Sequence, residues 1–193
     1  TEQLIEESCG NLNKKQIEVP DDFFVHVNSN TKEFISNRHK TSLEEVNRVL
    51  GGGLVDSSVI LLGGAPGVGK STLLLQILSN IEGINHFIYV SAEESIGQVL
   101  LRAQRLLINN NKLKVASASC IEQILEALKN TPSDSIVILD SIQTVYSNTI
   151  SSPPGSIAQV KYCTSELVNF AKSHGIILII VGHVTKDGLI AGP

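Results

Sequence analysis

Apolar runs alternate with longer amphipathic segments over most of the chain, beginning near residue 41. The runs lack the polar residue at every second position that marks a half-exposed strand, so we expect strands buried on both faces, as in a parallel sheet covered by helices. The predicted strands cover residues 59–62, 86–90, 112–115, 136–139 and 176–181. The predicted helices cover residues 69–81, 95–107, 120–128 and 157–173. This alternation predicts an α/β fold of three layers with a mostly parallel sheet.

A short helix is also predicted just before the first of these strands. Ser42 is followed three residues later by Glu45, which is the spacing of a capping box. One face of the helix carries four apolar residues, namely Leu43, Val46, Val49 and Leu50. Three consecutive glycines, at 51–53, are expected to end it.

Residues 1–40 differ from the rest of the chain because they are polar, with scattered charges and a single apolar cluster at positions 23–27. We interpret residues 1–40 as a linker or N-terminal arm and residues 41–193 as the folded domain. The 193 residues are about one domain by the usual size relation.

Composition excludes several classes of protein. The chain is 42% hydrophobic and 18% charged, which is ordinary for a soluble globular protein. Its formal net charge of -4 gives no overall signal for nucleic acid, so any such binding must come from a local patch or from loops. No run of about 18 apolar residues exists to span a membrane, and the acidic first residues lack the apolar core of a signal peptide.

Cysteine usage points to a reducing compartment. Cys9, Cys120 and Cys163 are odd in number and have no CxxC spacing, so we expect neither a disulfide framework nor a zinc site in this stretch. Free thiols in the cytoplasm are the favoured interpretation.

Residues 64–71 read Gly-Ala-Pro-Gly-Val-Gly-Lys-Ser and fit the P-loop pattern GxxxxGK[ST], between a predicted strand and a predicted helix. The glycines let backbone N–H groups turn towards phosphate oxygens, and the helix N-terminus adds a favourable dipole. Lys70 would reach the β- and γ-phosphates of ATP, and the Ser71 hydroxyl would bind Mg²⁺. The predicted nucleotide-binding set is Gly64, Ala65, Pro66, Gly67, Val68, Gly69, Lys70, Ser71 and Thr72.

Carboxylates follow two other predicted strands. Asp140 ends the apolar run 136–139 and fits a Walker B aspartate that holds Mg²⁺. Glu93 and Glu94 come shortly after the strand 86–90, at the edge where ligands bind in open α/β sheets. We prefer Glu93 as the catalytic base, whereas Glu94 suits a carboxylate that interacts with a helix dipole.

His183 follows the last predicted strand, where a polar side chain can sense the γ-phosphate; a packed or solvent-facing histidine is the alternative. The other four histidines lack metal-ligand spacing and are interpreted as structural or exposed: His26, His39, His86 and His174. Two polar loops remain, at residues 149–156 and from residue 185 onward. Each is either a DNA- or channel-facing loop or an ordinary surface connection.

Several stretches together resemble one family. They are TSLEEVNRVLGGGL at 41–54, YVSAEES at 89–95, LDSIQTVY at 139–146, PGS at 154–156 and GHVTK at 182–186. Over residues 41–193 the chain resembles the RadA (Sms) family of bacterial DNA repair proteins, which are RecA-like ATPases. The P-loop is common to very many families, but the stretches DSIQTVY and GHVTK are far more specific.

The resemblance implies DNA-stimulated ATP hydrolysis with Mg²⁺, in hexameric rings on single-stranded or branched DNA. It implies branch migration or helicase action during recombination and repair, with the recombinase RecA as a partner. Position by position, Lys70 and Ser71 become the P-loop pair, Asp140 the Walker B residue, Glu93 the catalytic glutamate and His183 the sensor. Both polar loops correspond to DNA-facing loops.

The chain departs from the family pattern in several places. The family begins with a four-cysteine zinc finger and continues into a Lys-Asn-Arg-Phe-Gly motif and a Lon-protease-like domain, none of which occurs in these residues. We therefore expect an ATPase core without its C-terminal strands, and zinc only in the finger. Asn47 and Ala92 stand where Asp and Gly are common.

Two other functions stay open. A RecA-type nucleotide-dependent assembly switch would share the same site without motor activity, and DNA stimulation of turnover would separate the two. A small-molecule kinase would need a lid and an acceptor pocket, for which the sequence gives no candidate. Arg102 and Arg105 either reach a neighbouring subunit's nucleotide or belong only to a helix surface.

Overall fold

The structure is a computed structural model that describes residues 37–184. Almost all of the predicted arm at 1–40, with Cys9 and His26, lies outside the described residues, as does the polar loop from residue 185 onward. Of the helices described here, none has the length and apolar character needed to cross a membrane.

Strands and helices alternate along the described chain. The strands are β1 (Arg38–His39), β2 (Leu54–Val55), β3 (Val59–Gly64), β4 (His86–Ser91), β5 (Leu113–Ser117), β6 (Ser135–Asp140) and β7 (Ile177–His183). The helices are α1 (Glu44–Val49), α2 (Lys70–Ser79), α3 (Ile96–Arg105), α4 (Ile121–Leu128) and α5 (Ile157–His174), with a 3-10 turn at Ile142–Thr144. The predicted strands 59–62, 86–90, 112–115, 136–139 and 176–181 thus match β3 to β7, and each predicted helix matches an observed one.

Five strands form one sheet in the order β3-β7-β6-β4-β5, and every neighbouring pair is parallel. One face of the sheet packs on α2 and α3 through residues such as Leu74 and Val99. The other packs on α4 and α5 through residues such as Ile124 and Leu167. The three-layered α/β fold predicted from the sequence is confirmed.

Burial differs between the strands in the middle of the sheet and those at its edge. All of β6 is buried, and so is β7 up to His183, as the unbroken apolar runs predicted. Strand β3 lies at one edge, and Leu61 within it is 51% exposed. An open apolar groove of about 490 Å³ runs beside β3, between it, α1 and α2, and is lined in part by Leu61 and Val49. Burial on both faces is therefore wrong for β3, and also for β5 at the other edge, where Lys114 and Ser117 are exposed. Each of these strands has a neighbour on one side only within the described sheet.

The capping box predicted for the first helix is wrong. Leu43 occupies the N-cap position and provides no side-chain hydrogen bond, while Glu45 pairs with Arg48 at 2.6 Å. The turn is organised by Asn47 instead, which accepts from the Thr41 N–H and donates to the Thr41 carbonyl, both at 2.8 Å. An aspartate could not make the second bond, which explains the amide at this position.

A capping box does occur, at α3. The hydroxyl of Ser95 accepts from the N–H of Gln98, and the side chain of Gln98 accepts from the N–H of Ser95 at 2.9 Å. This pair fixes the direction in which the chain leaves the β4 edge, immediately after Glu93 and Glu94.

Cys120 and Cys163 are buried and free, which agrees with the prediction of unpaired thiols. Burial raises the pKa of Cys163 to about 11, so this thiol stays protonated and unreactive near neutral pH.

Candidate nucleotide-binding site

The predicted site residues meet at the carboxyl edge of the parallel sheet. The register pairs Gly64 with His183 across β3 and β7, and Ser91 with Asp140 across β4 and β6. These strand ends therefore lie side by side, and the P-loop leaves the same edge to enter α2. Ligands of open α/β sheets bind at this edge.

The P-loop is an open, glycine-dependent turn. Gly67 and Gly69 have φ of +79° and +95°, a region that residues with side chains rarely adopt. Residues 65–69 are exposed, and among the described residues the N–H groups of all of them but Pro66, which has none, donate to no other protein group. A helix N-terminus follows directly at Lys70. Free donors at the start of a helix suit an anion such as a phosphate chain.

Lys70 is buried under this loop, with only 8% of its surface exposed. Its ammonium donates to the carbonyls of Gly64 and Ala65, both at 2.8 Å, and to Nδ1 of His183 at 3.3 Å. The loop carbonyls thus hold the ammonium at the base of the P-loop, where a bound phosphate would compete for it.

His183 connects Lys70 to Glu93. Nδ1 of His183 accepts from Lys70, so the proton of a neutral ring lies on Nε2, which donates to Oε1 of Glu93 at 2.8 Å. The Ser141 hydroxyl donates to the same carboxylate oxygen. Side chains from the P-loop, β7 and the turns after β4 and β6 thereby form one continuous chain of hydrogen bonds.

These contacts keep Glu93 ionised. Burial acts to raise the pKa of Glu93, but the hydrogen bonds from Ser141 and His183, and the charge of Lys70, outweigh burial and lower it. A carboxylate that is ionised and only partly exposed is chemically able to accept a proton from water.

Asp140 is buried beside the P-loop helix. The phenol of Tyr89 donates to its Oδ2 at 2.5 Å, and the side chain of Ser71 also interacts with that phenol. Burial, with the adjacent Asp140 carboxylate, raises the pKa of Tyr89 far above its ordinary value, so the phenol remains a donor. Ser71 and Asp140 are therefore close enough to share one neighbour.

The donor set fits Mg²⁺ better than a tightly chelated transition metal. No group of three or more His, Cys, Asp or Glu that could hold a metal was found in residues 37–184. Mg²⁺ keeps waters and uses one or two protein oxygens together with substrate phosphates. One hydroxyl and one carboxylate beside a phosphate-binding loop match that requirement.

Glu94 was interpreted from the sequence as a carboxylate that interacts with a helix dipole. In the structure its carboxylate contacts a side chain. Its carboxylate forms a bidentate pair with Arg102, with both N–O distances at 2.6 Å. The pair raises the pKa of Arg102. Arg102 is thus engaged within its own chain, whereas Arg105 is exposed on the surface of α3.

The predicted loop at 149–156 is tied to α5 by the buried amide of Gln159. Its nitrogen donates to the carbonyls of Ser147, Ile150 and Ser152 at 2.8–3.1 Å, and its oxygen accepts from the Ser147 N–H at 2.8 Å. A side chain of Glu122 on α4 accepts from the Ser147 hydroxyl. The base of this loop therefore has a defined conformation.

The three remaining described histidines have no metal-binding arrangement among the described residues. His39 is buried between the Glu82 carbonyl and Asp56, His174 stacks on Phe170 with ring centroids 3.9 Å apart, and His86 is half exposed. Their interpretation as structural or exposed agrees with these contacts.

Tyr89, Ser141 and Gln159 carry contacts that the sequence reasoning missed. Tyr89 lies in the middle of an apolar run, where an aromatic residue is normally read as core. Ser141 directly follows Asp140, and this position next to the predicted Walker B aspartate was the one signal in the sequence that it belongs to the site.

Three features define a RecA-like P-loop ATPase core. They are the parallel sheet, the P-loop between β3 and α2, and the aspartate that ends β6. A family described as "AAA domain" matches residues 28–189, which is most of the chain. The chain belongs to that family.

Curated relatives narrow the family. The chain is 54% identical over 157 residues to "DNA repair protein RadA" of Bacillus subtilis (strain 168), covering 81% of this chain and 34% of the relative. It is 44% identical over 191 residues to the protein of that name from Rickettsia prowazekii (strain Madrid E), covering 98% of this chain and 42% of the relative. Within the ATPases, the chain belongs to the bacterial RadA family.

The chain spans between 34% and 42% of the length of these relatives. What they do as whole proteins therefore comes to this chain only by proposal.

Proposed function

We propose that this chain is the ATPase domain of a DNA repair and recombination protein, and that it hydrolyses MgATP in response to DNA. The observation that carries the proposal is the hydrogen-bond chain Lys70–His183–Glu93. It joins the phosphate-binding loop to a carboxylate able to activate water, at the edge of the sheet where nucleotide binds.

Each side chain has one role in this proposal. The N–H groups of residues 64–72, other than Pro66, hold the phosphates, and Lys70 exchanges its loop carbonyls for the β- and γ-phosphates. Ser71 and Asp140 hold Mg²⁺, which neutralises charge on the phosphates when bound. Glu93 orients and deprotonates the attacking water.

His183 reports the γ-phosphate. It touches both Lys70 and Glu93, so a phosphate that draws Lys70 away also removes one partner of His183. The state of the nucleotide thus reaches β7 and the loop that follows it. This role depends on contacts with two other site residues, which a merely packed histidine would not need.

The coupling to DNA is proposed from the loop at 149–156 and from the relatives, whose names describe DNA repair. Gln159 fixes the base of this loop, which leaves its polar tip as a presentable surface. We propose single-stranded or branched DNA as the ligand, a hexameric ring as the assembly, branch migration or helicase action as the output, and the recombinase RecA as a partner.

The domain boundaries form part of the proposal. We assign residues 41–193 to the ATPase domain and residues 1–40 to an arm that leads into it. The last residues of that arm form β1, which pairs with β2 of the domain.

ATP turnover by the full-length protein, with and without single-stranded DNA, tests this proposal. Lys70→Ala is expected to abolish turnover, because the loop loses its phosphate-binding ammonium. Lys129→Ala, on an exposed residue at the end of α4, is the matched control and should retain wild-type rates. Unchanged turnover in Lys70→Ala would contradict the site.

The DNA arm of the same experiment separates a motor from an assembly switch. DNA is expected to raise turnover by the wild-type protein, with an effect that weakens steeply as salt increases if phosphate contacts dominate. Turnover without any response to DNA would favour the nucleotide-dependent switch.

A further inference from the structure

The Tyr89 phenol contacts Asp140, one of the two residues proposed to hold Mg²⁺. Tyr89 is fully buried in β4, with 0% of its surface exposed. Its hydroxyl donates to Oδ2 of Asp140 at 2.5 Å and interacts with the side chain of Ser71. Asp140 comes from the end of β6, so this hydroxyl joins β4 to the strand that carries a proposed metal ligand.

Packing alone does not explain a hydroxyl in this place. Tyr89 belongs to the apolar cluster that α2 and α3 form with the sheet, where phenylalanine would fill the same volume. A buried hydroxyl costs free energy unless it is hydrogen-bonded. Here its proton is directed at the Asp140 carboxylate, which satisfies the hydroxyl.

Groups that hydrogen-bond to metal ligands fix the orientation of those ligands, and their loss weakens metal binding. The phenol engages one oxygen of Asp140 and leaves the other for the metal or for a water bound to it.

We propose that Tyr89 is a positioning residue for Mg²⁺, acting through the Asp140 carboxylate. The proposal rests on the MgATP site described above and adds a residue to it. Tyr89 touches neither nucleotide nor water in this scheme.

Metal affinity distinguishes this role from a purely structural one. The experiment measures binding of Mn²⁺, as a paramagnetic substitute for Mg²⁺, to the full-length protein saturated with ADP, by electron paramagnetic resonance. Tyr89→Phe is expected to weaken Mn²⁺ binding by about 10- to 100-fold. Affinity for ADP in the presence of EDTA should stay within about twofold, and the ATP turnover lost at low Mg²⁺ should return as Mg²⁺ is raised.

Tyr162→Phe is the matched control, since it removes a phenolic oxygen from α5, on the opposite face of the sheet. It should bind Mn²⁺ like the wild type. A double variant tests whether Tyr89 acts through Asp140. Adding Tyr89→Phe to Asp140→Asn should change Mn²⁺ affinity by less than about twofold.

Wild-type Mn²⁺ affinity in Tyr89→Phe would overturn the proposal, and so would a Tyr89→Phe chain that fails to fold, because the hydroxyl would then serve the fold. A wild-type protein that binds no ADP would instead contradict the proposed function itself. The two failures are therefore distinguishable.

Discussion

Two polar clusters of this molecule are both built from hydrogen bonds, but they have different roles. One, at the strand ends, joins Lys70, His183 and Glu93; the other joins Gln159 to the backbone at 147–152. The first contains charged groups, is partly open to solvent and lies beside N–H groups that have no partner among the described residues. The second is centred on a neutral amide with 1% exposure, and all its hydrogen bonds are made within the chain.

This difference indicates which cluster serves activity and which serves stability. Charged groups at an open edge of the sheet can exchange their contacts for those of a ligand, whereas a buried neutral amide that bonds the backbone of one loop stabilises the fold. Substitutions should therefore have their largest effect on turnover in the first cluster and on the free energy of unfolding in the second.

The largest effect is expected from Glu93→Gln. The amide cannot accept a proton from water, and general base catalysis typically contributes about 10²- to 10⁴-fold. Turnover of ATP should fall by that factor while nucleotide binding is retained, as measured by steady-state kinetics and nucleotide titration. Normal hydrolysis by this variant would show that another residue is the base.

Gln159→Ala should reverse that pattern. The buried carbonyl and N–H of Ser147 and the part-buried carbonyls of Ile150 and Ser152 each lose a hydrogen bond. An unsatisfied buried group costs about 1–3 kcal/mol, so we expect a loss of about 3 kcal/mol in the free energy of unfolding. Urea unfolding measures it, with Gln123→Ala on the exposed surface of α4 as the control. Equal stability of both variants would refute the structural role.

Arg102→Ala gives a smaller effect, because its pair with Glu94 is partly exposed, with side chains 20% and 32% accessible. Exposed pairs contribute about 0.2–1 kcal/mol, and the bidentate geometry places this one near the upper value. Arg105→Ala, on the same helix, should stay within about 0.5 kcal/mol of the wild type. Identical unfolding curves for both arginine variants would argue against the pair.

The smallest expected effect is on the pH dependence of the free energy of unfolding. The folded-state pKa of Glu93 is lowered, so its ionised form stabilises the folded state above the unfolded pKa of about 4.3. That contribution is lost as the pH falls through the lowered pKa. The stability difference between wild type and Glu93→Gln should therefore be greatest near neutral pH and shrink below about pH 4, as urea titrations across this range would show.

The sequence predicted the sheet and the P-loop well because both have local signals. Apolar runs report buried strands directly, and the P-loop pattern specifies Gly67, Gly69 and Lys70 at fixed spacing. The helix cap shows the limit of such signals. Ser42–Glu45 and Ser95–Gln98 both have the spacing of a capping box, yet only the second pair forms one. At the first, the side chain of Asn47 forms hydrogen bonds with the backbone of Thr41 instead.

The contacts that organise the site were not predictable in this way. Tyr89 and Asp140 are 51 positions apart, and Ser141 and Glu93 are 48 positions apart. Only the strand order, which puts β4 next to β6, brings them together. No periodicity within either segment reports that neighbour.

The half-exposed edge strand β3 has a consequence for handling the protein. Its outer edge is unpaired within the described sheet, and it borders an apolar groove of about 490 Å³ in which Leu61 and Val49 are exposed. Unpaired apolar edges are templates for association between chains. Residues 37–184 prepared alone should therefore self-associate as concentration rises, and a charge placed at Leu61 should improve their solubility.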